Sequence, residues 1–482
     1  MKAGKVNLLI VAITTLGLLS AASSMAQAPA GQGAGNQGPT AQGQMGGPGG
    51  PGDAMGMGGP MSQDMPLDPS IKRTYVHLAG GAYLYEPIAA GEKSRIAILV
   101  MHSDGGYMNF SACSEMSKRG YRVFCVSRSS PGNLDQVIMN LKQAMTYLRT
   151  VAGVQKIILF GHSGGATLMT SYQMIAEDGV ASCQGPEKLH KCPNNFAGMP
   201  AADGVMLIDP NYGNAEMSLF SIDPAVIEED NGMKIDSDLD LFNPQNGFNA
   251  KGNSDYSHEF IKKWQAAVAR REMALTQKAL DRLAAIEAGR GKFSDNEPFI
   301  AAGISQTSNK LFAQDVKLLS HTEKPRPLLH ADGSITTEIV HTVRLPRNLT
   351  STTSSLARGG EETTVTDFLD NHAIRVTADF GYDESTIHGI DWTSTYSSPP
   401  GNVESIKAPL LVMGMTGSWE YLASEIIYEN AGSTDKTVAF VEGASHTYTT
   451  CKECEKTPGQ YGDTQKTTYD YIDKWLSNVG RF

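Results

Sequence analysis

Lys156-Ile-Ile-Leu-Phe-Gly-His-Ser-Gly-Gly-Ala166 decides how the rest of the chain reads. Ile157 to Phe160 form a short apolar run of the kind a buried strand needs, and the run passes straight into Gly161-His162-Ser163-Gly164-Gly165 and a helix-forming segment. The spacing G-x-S-x-G puts a glycine on each flank of Ser163, as a sharp strand-to-helix turn requires, because a larger residue at either place collides with the adjoining strand or helix. Such a turn holds the serine in a strained backbone conformation with Oγ raised above the sheet. Ser163 is therefore a candidate nucleophile. The plain alternative, a Gly/Ser turn that only links strand to helix, is weakened by the presence of the required elements on both sides.

Further apolar runs extend the pattern in both directions. They are Ile96 to Met101, Tyr121 to Val126, Val205 to Ile208, Leu410 to Met413 and Thr437 to Val441, preceded by an opening hairpin from Arg73 to Glu86 turned at Gly80-Gly81. Continuous apolar runs imply strands buried on both faces, as in a parallel sheet. Between two of them Leu134, Val137, Ile138, Leu141, Met145 and Leu148 recur at helical spacing, which predicts an amphipathic crossover helix.

Eight strands with a serine turn after the fifth resemble the α/β-hydrolase superfamily, from about Arg73 to the C-terminus. The resemblance implies an α/β fold with a mostly parallel eight-stranded sheet, and a catalytic order of serine, acid, histidine. His446 lies in the loop after the last strand and matches the place of the imidazole base. Two carboxylates compete for the acid: Asp209 ends the strand Val205 to Ile208, and Glu420 follows the strand that runs to Gly414. Asp209 is preferred, with capping of the next segment as its plain alternative. The resemblance also implies an oxyanion hole from the Gly164 amide and an amide of the loop His102-Ser-Asp-Gly-Gly-Tyr107, supplied by Ser103 or Asp104. His102 is read as bracing that loop.

Between Pro210 and Pro409 nearly 200 residues intervene where a cap is usual in this superfamily, and residues 211–405 are expected to be a mainly helical cap inserted after the sixth strand. Phe260, Trp264, Val268, Leu275, Leu283 and Ile286 predict one long helix or two stacked ones over Ser257 to Ala288, ended by Gly289 and Gly291. Leu328 to Ser334 followed by Ile335 to Leu345 predicts a hairpin turned at Asp332-Gly333. Residues 67–210 and 406–482 then form the core.

The chain opens with Lys2 and Lys5, the apolar run Leu8 to Leu19 and small residues to Ala28, so residues 1–28 are expected to be a secretory signal peptide. The run is too short to span a membrane. An exported protein, periplasmic or secreted, follows as an expectation, with no integral span in the mature chain. Residues 29–66 are rich in Gly, Pro, Gln and Met and are expected to be a disordered tether. Its methionines (Met45, Met55, Met57, Met61, Met65) suit a soft metal by side chain but lack fixed spacing and a Cys or His partner.

Forty Lys and Arg against fifty-one Asp and Glu give a net charge of -11, which disfavours nucleic acid and anionic membrane as partners. Six cysteines in an exported chain suggest disulfides. Cys183 with Cys192 and Cys451 with Cys454 are the expected pairs, and Cys113 and Cys125 could be buried thiols or a third pair. A zinc site from His446, Cys451 and Cys454 is conceivable in spacing, but export favours the disulfide, and no cofactor or metal is expected. The expected activity is hydrolysis of a small carboxylic ester through an acyl-Ser163 intermediate. The alternatives are a peptidase, amidase or lactonase with the same triad, and a non-catalytic binding protein on the same fold.

Overall fold

The computed structural model describes residues 67–129, 133–304, 311–346 and 360–482, so the leader and tether expected over residues 1–66 lie outside the described residues. The central sheet is built from β1 (Ile71–Val76), β2 (Ala82–Pro87), β3 (Ile96–Val100), β4 (Arg122–Val126), β5 (Lys156–Ser163), β6 (Gly204–Pro210), β7 (Arg326–Leu329), β8 (Ile335–Glu338), β9 (Leu410–Met415) and β10 (Lys436–Val441). Their spatial order is β1-β2-β4-β3-β5-β6-β9-β10-β7-β8. Every pair from β4 through β7 is parallel, and antiparallel pairs are confined to the hairpin end β1-β2-β4 and to β7-β8. The eight strands implied by the resemblance are all present in one sheet, with the serine turn at the end of β5.

Strand β5 shows why its run is apolar throughout. Ile157 and Leu159 point into one hydrophobic cluster while Ile158 and Phe160 point into the other, so both faces of the strand are covered. Helices α1 (Ser111–Lys118), α2 (Leu134–Leu148) and α3 (Gly165–Asp178) follow β3, β4 and β5. The Asn133 side chain accepts the Gln136 amide at 3.0 Å and so caps α2, whose periodic residues from Leu134 to Leu148 are buried as predicted.

Two expectations for residues 211–405 are corrected. The insertion is not mainly helical: among its described residues the helices of eight residues or more are α4 (Asn214–Ser221) and α5 (His258–Glu287), and short two-stranded ribbons and irregular chain make up much of the rest. Segments rich in Asn, Asp, Gly and Pro, such as residues 236–255, favour local turns over helix. The Asp-Gly hairpin, moreover, is not part of a separate cap. Its strands β7 and β8 extend the sheet to ten, with Leu328 and Leu329 in parallel register against Phe440 and Val441. They cover an edge of β10 that would otherwise present unpaired backbone groups. The second strand stops at Glu338, and the chain beyond it crosses to the loop after β9, where the Val343 amide donates to the Thr416 carbonyl at 2.9 Å.

Helix α5 is a single helix of 30 residues, capped by Ser257 through the Phe260 amide at 3.1 Å. Its Phe260, Trp264, Val268 and Leu275 share one buried cluster with α2, α3 and β6, so the insertion packs into the core on that face. Helix α6 (Ala423–Asn430) follows β9, and α7 (Thr464–Leu476) covers the opposite face together with α1. All three cysteine pairs are joined: Cys113–Cys125, Cys183–Cys192 and Cys451–Cys454.

Candidate active site

The turn after β5 has the geometry its sequence demands. Ser163 takes a φ of 52°, in the left-handed region that a side-chain-bearing residue normally avoids. A Cβ on Gly161 would fall 2.7 Å from the Gly165 carbonyl oxygen, and one on Gly165 would fall 2.9 Å from the Met101 carbonyl oxygen. Both glycines are therefore required by the close approach of α3 to β5 and β3. Ser163 is 6% exposed, so nearly all of its surface is covered by surrounding protein.

The neighbouring strand ends in a second strained residue. Asp209 has a φ of 47° at the tip of β6 and is fully buried. Ser163 lies in register with Pro210, and the Asn211 amide donates to the Ser163 carbonyl at 3.3 Å, so Ser163 and Asp209 occupy adjacent strand tips. His446, in the loop after β10, donates from Nδ1 to Asp209 Oδ2 at 2.7 Å. The other carboxylate oxygen accepts the Met415 amide at 2.9 Å. Burial pushes the Asp209 carboxyl above its usual range, while its bonds to His446, Ser418 and the Met415 amide pull the other way and favour the ionised form.

Glu420 comes from the loop after β9 and is equally buried, with Oε2 3.9 Å from His446 Nδ1. Ser418 stands between the two candidates: its Oγ lies 3.5 Å from His446 Nδ1 and accepts the Glu420 amide at 3.3 Å. Of the two carboxylates named from sequence, Asp209 is thus the one in hydrogen-bond contact with the imidazole. With its proton held at Nδ1, His446 has a lone pair at Nε2, the form of imidazole that serves as a general base.

The loop after β3 lies against the serine turn. A Cβ on Gly164 would meet Ser103 Oγ at 2.5 Å, His102 Cε1 at 3.1 Å and Asn214 Oδ1 at 3.4 Å. His102 Nδ1 accepts the Asp104 amide at 3.2 Å and the Gly105 amide at 3.1 Å, which is the bracing expected of it. The Asp104 N–H is therefore turned toward His102.

The sequence reading missed Ser418 and the insertion residues Asn214 and Asn371. Asn214 begins α4, with its amide donating to Thr167 Oγ1 at 3.1 Å and its Nδ2 donating to Asn371 Oδ1 at 2.8 Å. The insertion thereby reaches the back of the serine turn. Nothing in the local pattern of residues 365–373 announces this. Cys451 and Cys454 are bonded to each other, so in this state neither is a thiolate ligand beside His446.

No family model matches the chain, and no curated protein matches it. Solved structures with a similar chain course include a hypothetical protein from Pseudomonas aeruginosa, at 14% identity over 86% of this chain and 95% of that one, with a TM-score of 0.37. Est1E from Butyrivibrio proteoclasticus is 9% identical over 84% of this chain and 97% of its own, with a TM-score of 0.35. Brefeldin A esterase, described as a bacterial homologue of human hormone-sensitive lipase, is 10% identical over 87% of this chain and 80% of its own, with a TM-score of 0.38.

Proposed function

We propose, for a chain built on the α/β-hydrolase fold, that it is an exported serine hydrolase cleaving carboxylic esters of small molecules. The observation that carries this reading is the 2.7 Å bond from His446 to Asp209 beside a serine held at a φ of 52°. His446 Nε2 takes the proton from Ser163 Oγ as the oxygen attacks the acyl carbon, and Asp209 stabilises the imidazolium without itself taking the proton. The tetrahedral oxyanion is met by the Gly164 amide and by a second amide from the loop after β3. Ser103 is the better second donor, since the Asp104 N–H is already engaged by His102. Collapse of the intermediate expels the alcohol, which receives the proton from His446. Water then attacks the acyl-Ser163 by the same route in reverse.

Limited access to Ser163 favours a small acyl substrate over a folded polypeptide. Rates against p-nitrophenyl esters of graded acyl length, run beside amide and peptide panels, test the proposal. Turnover of short-chain esters that disappears in Ser163→Ala is the expected outcome. Silence on every ester, or preference for peptides, would overturn it.

A further inference from the structure

The residue at the variable place of the serine turn is a fully enclosed imidazole whose two nitrogens are both engaged. His162 Nε2 lies 2.7 Å from the backbone carbonyl oxygen of His446, and Nδ1 lies 2.6 Å from the Tyr107 hydroxyl. A carbonyl can only accept, so Nε2 carries the hydrogen and Nδ1 accepts from Tyr107. His162 is 3% exposed. Burial, and after it the neighbouring His446, push its pKa well below the usual imidazole range, so the neutral form required by this bonding is the stable one.

Its partners belong to two different loops. His446 is the residue bonded to Asp209. Tyr107 closes the loop His102 to Tyr107, and its ring stacks on His102 at 4.6 Å, the same His102 that accepts the Asp104 and Gly105 amides. The His162 ring also lies 4.9 Å from Phe110, 5.1 Å from Tyr448 and 4.5 Å from His446, so its plane is fixed from several sides. A strand paired on both sides is a firmer support than a loop, and a side chain anchored at its tip can hold two loops at a set distance from Ser163.

We propose that His162 is a positioning residue that pins the His446 backbone through Nε2 and the Tyr107 loop through Nδ1, and so registers base and oxyanion donors against Ser163. This inference rests on the triad reading given above. The two bonds can be separated, because a glutamine amide reaches the place of Nε2 while an asparagine amide reaches only the place of Nδ1. His162→Gln therefore retains the bond to the His446 carbonyl, and His162→Asn loses it. A displacement of the base by about 1 Å lowers turnover on the order of 10²-fold.

The test is kcat and KM for a p-nitrophenyl ester on the full chain, together with the rate at which a fluorophosphonate labels Ser163, for wild type, His162→Asn, His162→Gln and Tyr107→Phe. His162→Asn is expected to lose about 10²-fold in kcat with KM nearly unchanged and to label correspondingly slowly. His162→Gln should recover most of that loss, and Tyr107→Phe should fall between wild type and His162→Asn. A role confined to filling space would affect stability and leave His162→Gln no better than His162→Asn. A folded His162→Asn protein that labels and turns over at the wild-type rate overturns the positioning role alone, whereas a wild type that takes no label overturns the triad reading with it. Should His162→Asn not fold, equal labelling rates for His162→Gln, Tyr107→Phe and wild type would sink the proposal for the Tyr107 bond, and a His162→Gln rate 10²-fold down would sink it for the His446 bond.

Discussion

The tip of β6 and the loop after β9 each bring a buried carboxylate to the same histidine, yet only one of them comes within hydrogen-bond distance of it. Asp209 is 2.7 Å from His446 Nδ1 and Glu420 is 3.9 Å from it. The difference follows from what carries each residue. Asp209 sits on a strand hydrogen-bonded on both sides, by β5 and β9, and a left-handed φ turns its short side chain toward the imidazole. Glu420 lies beyond the end of its strand, and its longer side chain has one more torsion to restrain. Burial is nearly equal in the two, so rigidity of the supporting backbone separates them.

Removing the proposed nucleophile gives the largest expected effect. Ser163→Ala should lower kcat by about 10⁴-fold or more while the thermal transition stays near that of wild type, since only Oγ is lost. A Ser163→Ala protein with a tenth of the original activity would end the assignment.

Asp209→Asn comes next and strikes directly at the comparison. It should place a donor opposite Nδ1, leave His446 in the wrong tautomer and reduce kcat by roughly 10³ to 10⁴-fold, with Glu420→Gln costing under about tenfold. Steady-state kinetics on the two variants at one pH would decide, and the reverse ranking would transfer the role to Glu420.

A third buried carboxylate shows what burial does without an imidazole. Glu216 on α4 is fully enclosed, and burial raises its pKa to about 8, opposed by Ser398. Because the folded value is raised, the native state keeps a proton that the unfolded chain releases from about pH 4.5. Stability contributed by this group is then complete below pH 4.5, falls as pH rises, and is gone above pH 8. Glu216→Gln should flatten that decline, by an amount on the order of a few kcal/mol, visible as a denaturation midpoint that varies less between about pH 5 and pH 8 than in wild type. Parallel pH profiles for the two proteins would show that Glu216 is charged in the fold.

The smallest effect is expected at the softer of the two carboxylate supports. A Cβ on Gly417 would fall 3.1 Å from Cys451 Cβ, so the Cys451–Cys454 bridge packs against the β9 loop rather than the β6 tip. The bridge closes a very short ring and adds little chain-entropy stabilisation. Cys451→Ser with Cys454→Ser should reduce kcat by only a few-fold, measured on purified protein. A loss as large as that of Asp209→Asn would mean that the β9 loop, and not the β6 tip, sets the imidazole.

What was legible in the sequence follows the same division. Strands β3 to β6, β9 and β10 announced themselves because a strand covered on both faces must be apolar throughout, and the serine turn because its glycine spacing is local, with Gly161 answering to the Gly165 backbone just beyond the serine. Asp209 could be named because it closes such a strand. The destination of the Asp-Gly hairpin was not legible: Ile335 to Thr337 are β-branched as strands favour, but no local pattern says that Leu328 will pair with the distant Phe440. Asn371 and Ser418 escaped for the same reason, since their partners are distant in sequence and their residue types are common in loops. His162 was visible as a letter inside the motif. Its bonds to Tyr107 and His446 depend on how two separate loops fold back over β5.

The central claim, that Ser163 becomes acylated with His446 as its base, is tested most directly by intact-mass and peptide mass spectrometry of enzyme reacted with a fluorophosphonate. One adduct on the peptide carrying Ser163 is expected, formed in wild type, abolished in Ser163→Ala and strongly slowed in His446→Ala. An adduct on any other residue, or full ester turnover by a protein whose Ser163 stays unmodified, would contradict it.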